Sequence, residues 1–170
     1  MRLTRFTGPR SRREHGNITV EMALAMPLFL FLVAGVLDLG MLFWEKNVIT
    51  NAAREGARAA AKAVDTGTAV NADLTQTEVK QVVQNYLSQY AIKKLDGTSL
   101  TLDGTTFSYT WVDEASGKVL TVALNQIPVK MNLIPNIKTL FGGSRTVGDD
   151  AFYLSAQTSM AAEWTTPPSP

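Results

Sequence analysis

The sequence predicts an α+β protein: a long N-terminal helix able to cross a membrane, then a small domain with one helix and an antiparallel sheet. Three observations predict it. Residues 18–44 hold an apolar run, densest over 22–37, and such a stretch forms a helix of about 40 Å, enough for a hydrocarbon layer of ~30 Å. Thr75-Gln76-Thr77-Glu78 is a capping box followed by apolar residues at helical spacing. Beyond Ser99 the period changes, and short runs rich in β-branched and aromatic residues alternate with Gly and Asp.

The leader, residues 1–16, is basic: it carries Arg2, Arg5, Arg10, Arg12 and Arg13 against Glu14. The whole chain balances at +1, which hides 11 Lys/Arg against 14 Asp/Glu in everything after Gly16. A positive leader keeps its own end cytoplasmic and sends the chain after Trp44 across the membrane. Basic residues confined to a leader are explained by topology, so they argue against a nucleic-acid partner. The apolar run is too long for a secretory signal peptide, whose apolar region spans ~7–15 residues. Phe43 and Trp44 fit the far interface.

Pro27 has no N–H and clashes with the carbonyl four residues earlier, which predicts a kink near Ala23. Glu21 and Asp38 are the two acids of the segment. A carboxylate at the bilayer centre costs roughly 3 kcal/mol on insertion scales, so each raises a functional question. For Asp38 two readings stand side by side, a carboxylate reaching the outer interface and a specific pairing role.

After the membrane, Val48, Ile49, Ala52, Ala53, Gly56, Ala57 and Ala60 recur at helical spacing, so the helix continues to about Ala63. The small residues Ala52, Gly56 and Ala60 permit close backbone approach. The expected target is the chain's own domain, with a neighbouring subunit as the alternative. Asp65-Thr66-Gly67-Thr68 reads as a turn. The second helix presents Val79, Val82, Val83, Tyr86, Leu87 and Tyr90 on one face and closes at Lys93, Lys94 and Asp96-Gly97. Strands are expected at 99–102, 107–112, 118–124 and 152–160, with a hairpin turn at 113–117. Pro128, Pro135 and Gly142-Gly143 mark a long loop before the last strand, and the Pro-rich 165–170 reads as a disordered tail. The organisation expected is leader 1–16, helix 17–63, exported domain 64–164 and tail 165–170, with the part after Ala63 folding without the helix.

Little supports catalysis. The chain has no cysteine, and its one histidine, His15, lies in the leader. Asp149-Asp150 lacks a third ligand at suitable spacing and reads as a solvated loop. Gly142-Gly143-Ser144 lacks the lysine of a phosphate loop. No catalytic residue, cofactor, metal or small-molecule substrate is expected.

Gly16-Asn17-Ile18-Thr19-Val20-Glu21 puts an acid five residues after a glycine at the start of the apolar run. The spacing resembles the processing site of type IV prepilins. Val20-Glu21-Met22-Ala23-Leu24-Ala25-Met26-Pro27-Leu28, Gly35-Val36-Leu37-Asp38-Leu39-Gly40 and Asn51-Ala52-Ala53-Arg54-Glu55-Gly56-Ala57-Arg58 resemble the TadE-like family of tight-adherence pilus pseudopilins. Val119-Leu120-Thr121-Val122-Ala123-Leu124, Leu133-Ile134-Pro135 and Tyr153-Leu154-Ser155-Ala156-Gln157-Thr158-Ser159-Met160 resemble that family's closing strand, loop and strand.

The resemblance implies a pilin-like helix and cleavage between Gly16 and Asn17 by a prepilin peptidase. Glu21 becomes the fifth mature residue and pairs with the Asn17 amine of a neighbouring subunit. It implies a minor pilin of a tight-adherence, Flp-type pilus in the bacterial inner membrane. The N-terminus is then cytoplasmic and the domain periplasmic or extracellular, with other pilin or pseudopilin subunits and the pilus assembly platform as partners. Two rivals remain, an uncleaved signal-anchored envelope or adhesion protein and a membrane-tethered enzyme. The lack of cysteine, and of histidine after the leader, counts against the second.

Overall fold

Alanine and glycine at helical spacing let a helix lie closer to a sheet than larger side chains allow, and the fold is built on that contact. A computed structural model describes residues 13–65, 67, 69–115, 117–130, 133 and 151–168. The expectations for the leader before Arg13, for Pro135, for Gly142-Gly143 and for Asp149-Asp150 lie outside the described residues.

α1 runs Arg13–Ala61, continuous through Pro27. Its last third enters the core: Ile49, Ala52, Ala53 and Ala57 are fully buried, with Val48, Ala60 and Ala61 nearly so. The chain then makes a small ribbon, β1 (Ala63–Asp65) against β2 (Val70–Ala72), around the expected turn. α2 (Gln76–Gln89) starts at the predicted capping box: the Glu78 amide donates to Thr75 Oγ1 at 3.2 Å, and the Thr75 amide donates to the Glu78 carboxylate at 2.8 Å. Those donors hold the Glu78 carboxyl below its usual range.

α2 ends earlier than expected. The Ile92 amide donates to the Leu87 carbonyl at 3.2 Å and the Ala91 amide to Ser88 at 3.1 Å, with Ala91 at φ +52°. This is a Schellman closure carried by alanine where glycine is the usual residue, so the sequence gives no stop signal.

β3 (Phe107–Glu114), β4 (Gly117–Lys130) and β5 (Ala151–Ala161) form one antiparallel sheet in the order β3-β4-β5. Leu120, Val122 and Leu124 alternate inward on β4, which packs against α1. The opposite face carries Ser108, Thr110, Gln157 and the Thr121–Ser159 hydroxyl pair at 2.7 Å, as a sheet solvated on one side should.

Three expectations are corrected. The stretch 99–102 is not a strand of the sheet: Gln84 occupies its backbone, its Nε2 donating to the Leu100 carbonyl at 2.5 Å and its Oε1 accepting from the Leu102 amide at 2.8 Å. β4 continues through Pro128 to Lys130, with a register shift between Leu124 and Ile127. Pro128 is tolerated because β3 pairs β4 only as far as Leu124, so the strand beyond is an edge on one side. Residues 163–168, partly assigned to a disordered tail, are fastened instead. Trp164 is 2% exposed and donates from Nε1 to the Ala60 carbonyl at 2.7 Å, the Glu163 amide caps Ala61 at 3.0 Å, and the Thr165 and Thr166 amides donate to Val70. The strap satisfies carbonyls that a helix end leaves open.

Candidate assembly site on the membrane helix

Outside the domain, no other described element packs on α1. Ile18, Val20, Met22, Leu24, Leu28, Phe29, Leu30 and Leu32 are each 58% or more exposed. An unaccompanied apolar helix has no aqueous explanation, since water would charge about 25 cal/mol for each Å² of such surface. Helix Ile18–Ala61 is long and apolar enough to cross a membrane, with a mean hydropathy of 2.3 in its most apolar window and none of that window buried.

The predicted site residues lie along this element. Gly16 and Asn17 fall within the helical backbone of α1, so the bond between them is at the start of the rod. Glu21 is exposed on the same helix, one turn after Asn17 and therefore above it on one face. Among the described residues Glu21 has no ion-pair partner. Its carboxylate is open to a second molecule. Pro27 interrupts one hydrogen bond without ending the helix.

Asp38 is different. It is 1% exposed, and both its carboxylate oxygens lie 3.0 Å from the backbone nitrogen of Leu133, which donates to them. Of the two readings left open, pairing within the chain is the one the geometry supports. A buried acid in the apolar part of α1 thus accepts a backbone donor from Leu133, far along the chain. Sequence reading missed this partner, because 95 positions separate the two residues and a backbone donor leaves no mark in residue type.

A second acid also went unremarked. Glu45 follows the aromatic pair Phe43-Trp44 and has one carboxylate oxygen buried with no hydrogen-bond partner. Burial pushes its carboxyl above the usual range. Beside it Lys46 donates to the Ser155 carbonyl, tying α1 to β5.

The small-residue face expected to meet the chain's own domain does so. A Cβ built on Gly56 would come within 2.4 Å of Val83 Cγ2 and 3.3 Å of Val122 Cγ1, so α1 meets α2 and β4 at one point that admits no side chain. The face from Ala52 to Ala60 is thereby used inside the protomer, while the apolar helix before Asp38 is exposed.

Residues 16–58 match the family model for TadE-like protein. Over this stretch the chain is similar to that family. No curated protein and no solved structure matches the chain. The TadE-like segment begins at Gly16, takes in Glu21, Pro27, Asp38 and Gly56, and ends at Arg58. It therefore covers the exposed rod and the part of α1 that docks it to the domain, and leaves α2 and the sheet outside the match.

Proposed function

We propose that this protein is a prepilin-like subunit of a tight-adherence, Flp-type pilus: a single-pass membrane protein cut between Gly16 and Asn17 by a prepilin peptidase. The leader faces the cytoplasm, and the domain lies on the far side, where it contributes as a minor pilin to assembly with other pilin or pseudopilin subunits. The observation that carries this reading is the exposed Glu21, five residues after Gly16, at the head of a bare apolar helix within the TadE-like match.

A carboxylate at the membrane edge needs a counter-charge, and cleavage would create one in the new amine of Asn17. Within one helix, Asn17 and Glu21 share a face. Between helices side by side, the carboxylate of one reaches the amine of the next, which fixes register while apolar contact supplies most of the adhesion. Pro27 would let such packed helices bend around one another. The family is structural, and the chain's work in this reading is assembly.

The test is Glu21→Gln, which removes the charge and keeps the size. Insertion becomes easier on the membrane scale, so a loss of function has to arise after insertion. Breaking a buried pair from one side costs about 3–5 kcal/mol. Processing, read by size, is expected to be normal, and crosslinking to neighbouring subunits to fail. Wild-type crosslinking would remove the pairing role, and defective processing would move Glu21 into peptidase recognition.

A further inference from the structure

Contacts between α1 and the chain of β5 set the height of the sheet along the helix. Far from Glu21, the Glu163 amide donates to the Ala61 carbonyl at 3.0 Å. Nearer to it, Lys46 donates from Nζ to the Ser155 carbonyl. Between these two contacts the helix rises roughly 22 Å and the extended chain roughly 26 Å, so the elements run close to parallel. Followed back toward Glu21 at the same rises, β5 brings Tyr153 level with about residues 39–42 of α1, and Phe152 slightly further. A third contact agrees. Lys130 pairs with Ala151, and just beyond it the Leu133 amide donates to the Asp38 carboxylate at 3.0 Å.

The start of β5 is therefore level with the end of the apolar run. With Glu21 at one edge of the hydrocarbon, a layer of ~30 Å ends at about Met41. What the domain shows at that height is apolar. Tyr153 is 62% exposed, Phe152 44% and Leu133 48%. Tyr90, just past the end of α2, is exposed as well and meets Trp44 edge-on with ring centres 6.5 Å apart. Successive strand residues face opposite ways, so Phe152 shares the inner face with Leu154 and the buried Ala156, while Tyr153 takes the outer face. Exposure on both faces shows that this strand end projects past the core.

The other end of the sheet is charged. Asp113, Glu114 and Lys118 flank the turn between β3 and β4, Lys118 pairs with Asp113, and the Lys118 carbonyl accepts from Ala162 at 2.8 Å, near the level of Ala61. The sheet is thus polarised along α1, with charge far from the apolar run and aromatic rings beside it. Water offers no return for rings displayed in this way, whereas the headgroup layer does. There the Phe152 ring can meet acyl chains, the Tyr153 hydroxyl can stay among headgroups, and exposed Lys130 can lay its stem on apolar surface with its ammonium in water.

We propose that the end of the domain carrying Phe152, Tyr153 and Tyr90 is seated in the headgroup layer of the bilayer that α1 spans, so that the lipid surface is the partner of this patch. The inference rests on the membrane-spanning reading of α1 and is independent of cleavage or pilus assembly. Contacts from β5 and from the end of α2 together set the orientation of the domain on the leaflet.

The chain has no cysteine, so a single introduced one carries a nitroxide without competition. The full chain is placed in phosphatidylcholine nanodiscs, one chain per disc, with the label at Leu30→Cys, Phe152→Cys, Tyr153→Cys or Val112→Cys, four exposed positions. Val112 pairs with Val119, which pairs with Ala161, so it marks the far end of the sheet. Power saturation then compares collision with oxygen, which concentrates in lipid, and with a nickel chelate, which stays in water. Oxygen is expected to dominate at positions 30, 152 and 153, and nickel at 112. Nickel dominance at 152 and 153 with oxygen dominance at 30 would overturn the proposal and leave the membrane reading standing, and nickel dominance at 30 would overturn both. A label at Lys130→Cys adds a reporter that leaves the rings in place: Phe152→Ser with Tyr153→Ser should shift it toward nickel, while circular dichroism shows an unchanged thermal transition. No shift at position 130 would overturn the role of the rings. Spin–spin broadening at position 153 in discs that hold two chains, with low access to both reagents, would assign the patch to a second copy and overturn the lipid surface as its partner.

Discussion

The Asp38 carboxylate, buried in the apolar part of α1, accepts the backbone N–H of Leu133 through both oxygens at 3.0 Å. The contact gives this buried charge a backbone donor and ties Leu133 to the rod. Asp38→Ala should remove the acceptor and strand the Leu133 donor, lowering stability by about 1–3 kcal/mol. Asp38→Asn keeps one oxygen acceptor and should lose less. Thermal unfolding in detergent gives the order of the variants, and faster amide exchange at Leu133 in Asp38→Ala locates the effect.

Gly56 should be the least substitutable residue of α1. An added Cβ meets Val83 Cγ2 at 2.4 Å, and valine at an inward helical position has almost no other rotamer to adopt. Gly56→Ala should therefore destabilise by about 1–3 kcal/mol through overpacking, against the ~1 kcal/mol of helix propensity that alanine normally gains. A higher melting temperature for Gly56→Ala would show that α1 and α2 can separate without loss.

The fragment 64–170 should not fold alone, contrary to what the sequence suggested. It lacks Ile49, Ala52, Ala53 and Ala57, all fully buried, and leaves the inner face of the sheet and of α2 uncovered. The fragment 42–170 restores that wall. Circular dichroism should show a cooperative thermal transition in the longer fragment only, and a cooperative transition in 64–170 would refute the shared core.

Ala91 offers a stabilising change. Its φ of +52° places an L-residue in the left-handed region, which costs roughly 1 kcal/mol that glycine would not incur. Ala91→Gly should raise stability by up to about 1 kcal/mol, less whatever the freer unfolded chain takes back. Denaturant midpoints at unchanged m-value would measure it.

What was legible in the sequence had local chemical causes. The apolar run of α1, the Thr75–Glu78 box and the β-branched alternation of 107–112 and 118–124 announced themselves because a few neighbouring residues decide them. The α+β class and the TadE-like segment were readable for the same reason. What escaped depends on distant partners. Gln84 captures the backbone of Leu100 and Leu102, so a stretch with strand character joins no sheet. Trp164 returns to Ala60 across 104 positions and fastens an end that looked too proline-rich to order. Asp38 and Glu45 were visible as acids, but their surroundings come from residues distant in sequence, Leu133 for Asp38 and the end of β4 for Glu45.

The central claim is that the chain is a prepilin cut after Gly16, and the size of the full-length protein in matched cells with and without a prepilin peptidase tests it most directly. A product shorter by the leader, residues 1–16, is expected only where the peptidase is present, and precursor size for Gly16→Leu in both, because a side chain at that position obstructs close approach to the backbone. One size in both cells for the wild type, or normal shortening of Gly16→Leu, would contradict it.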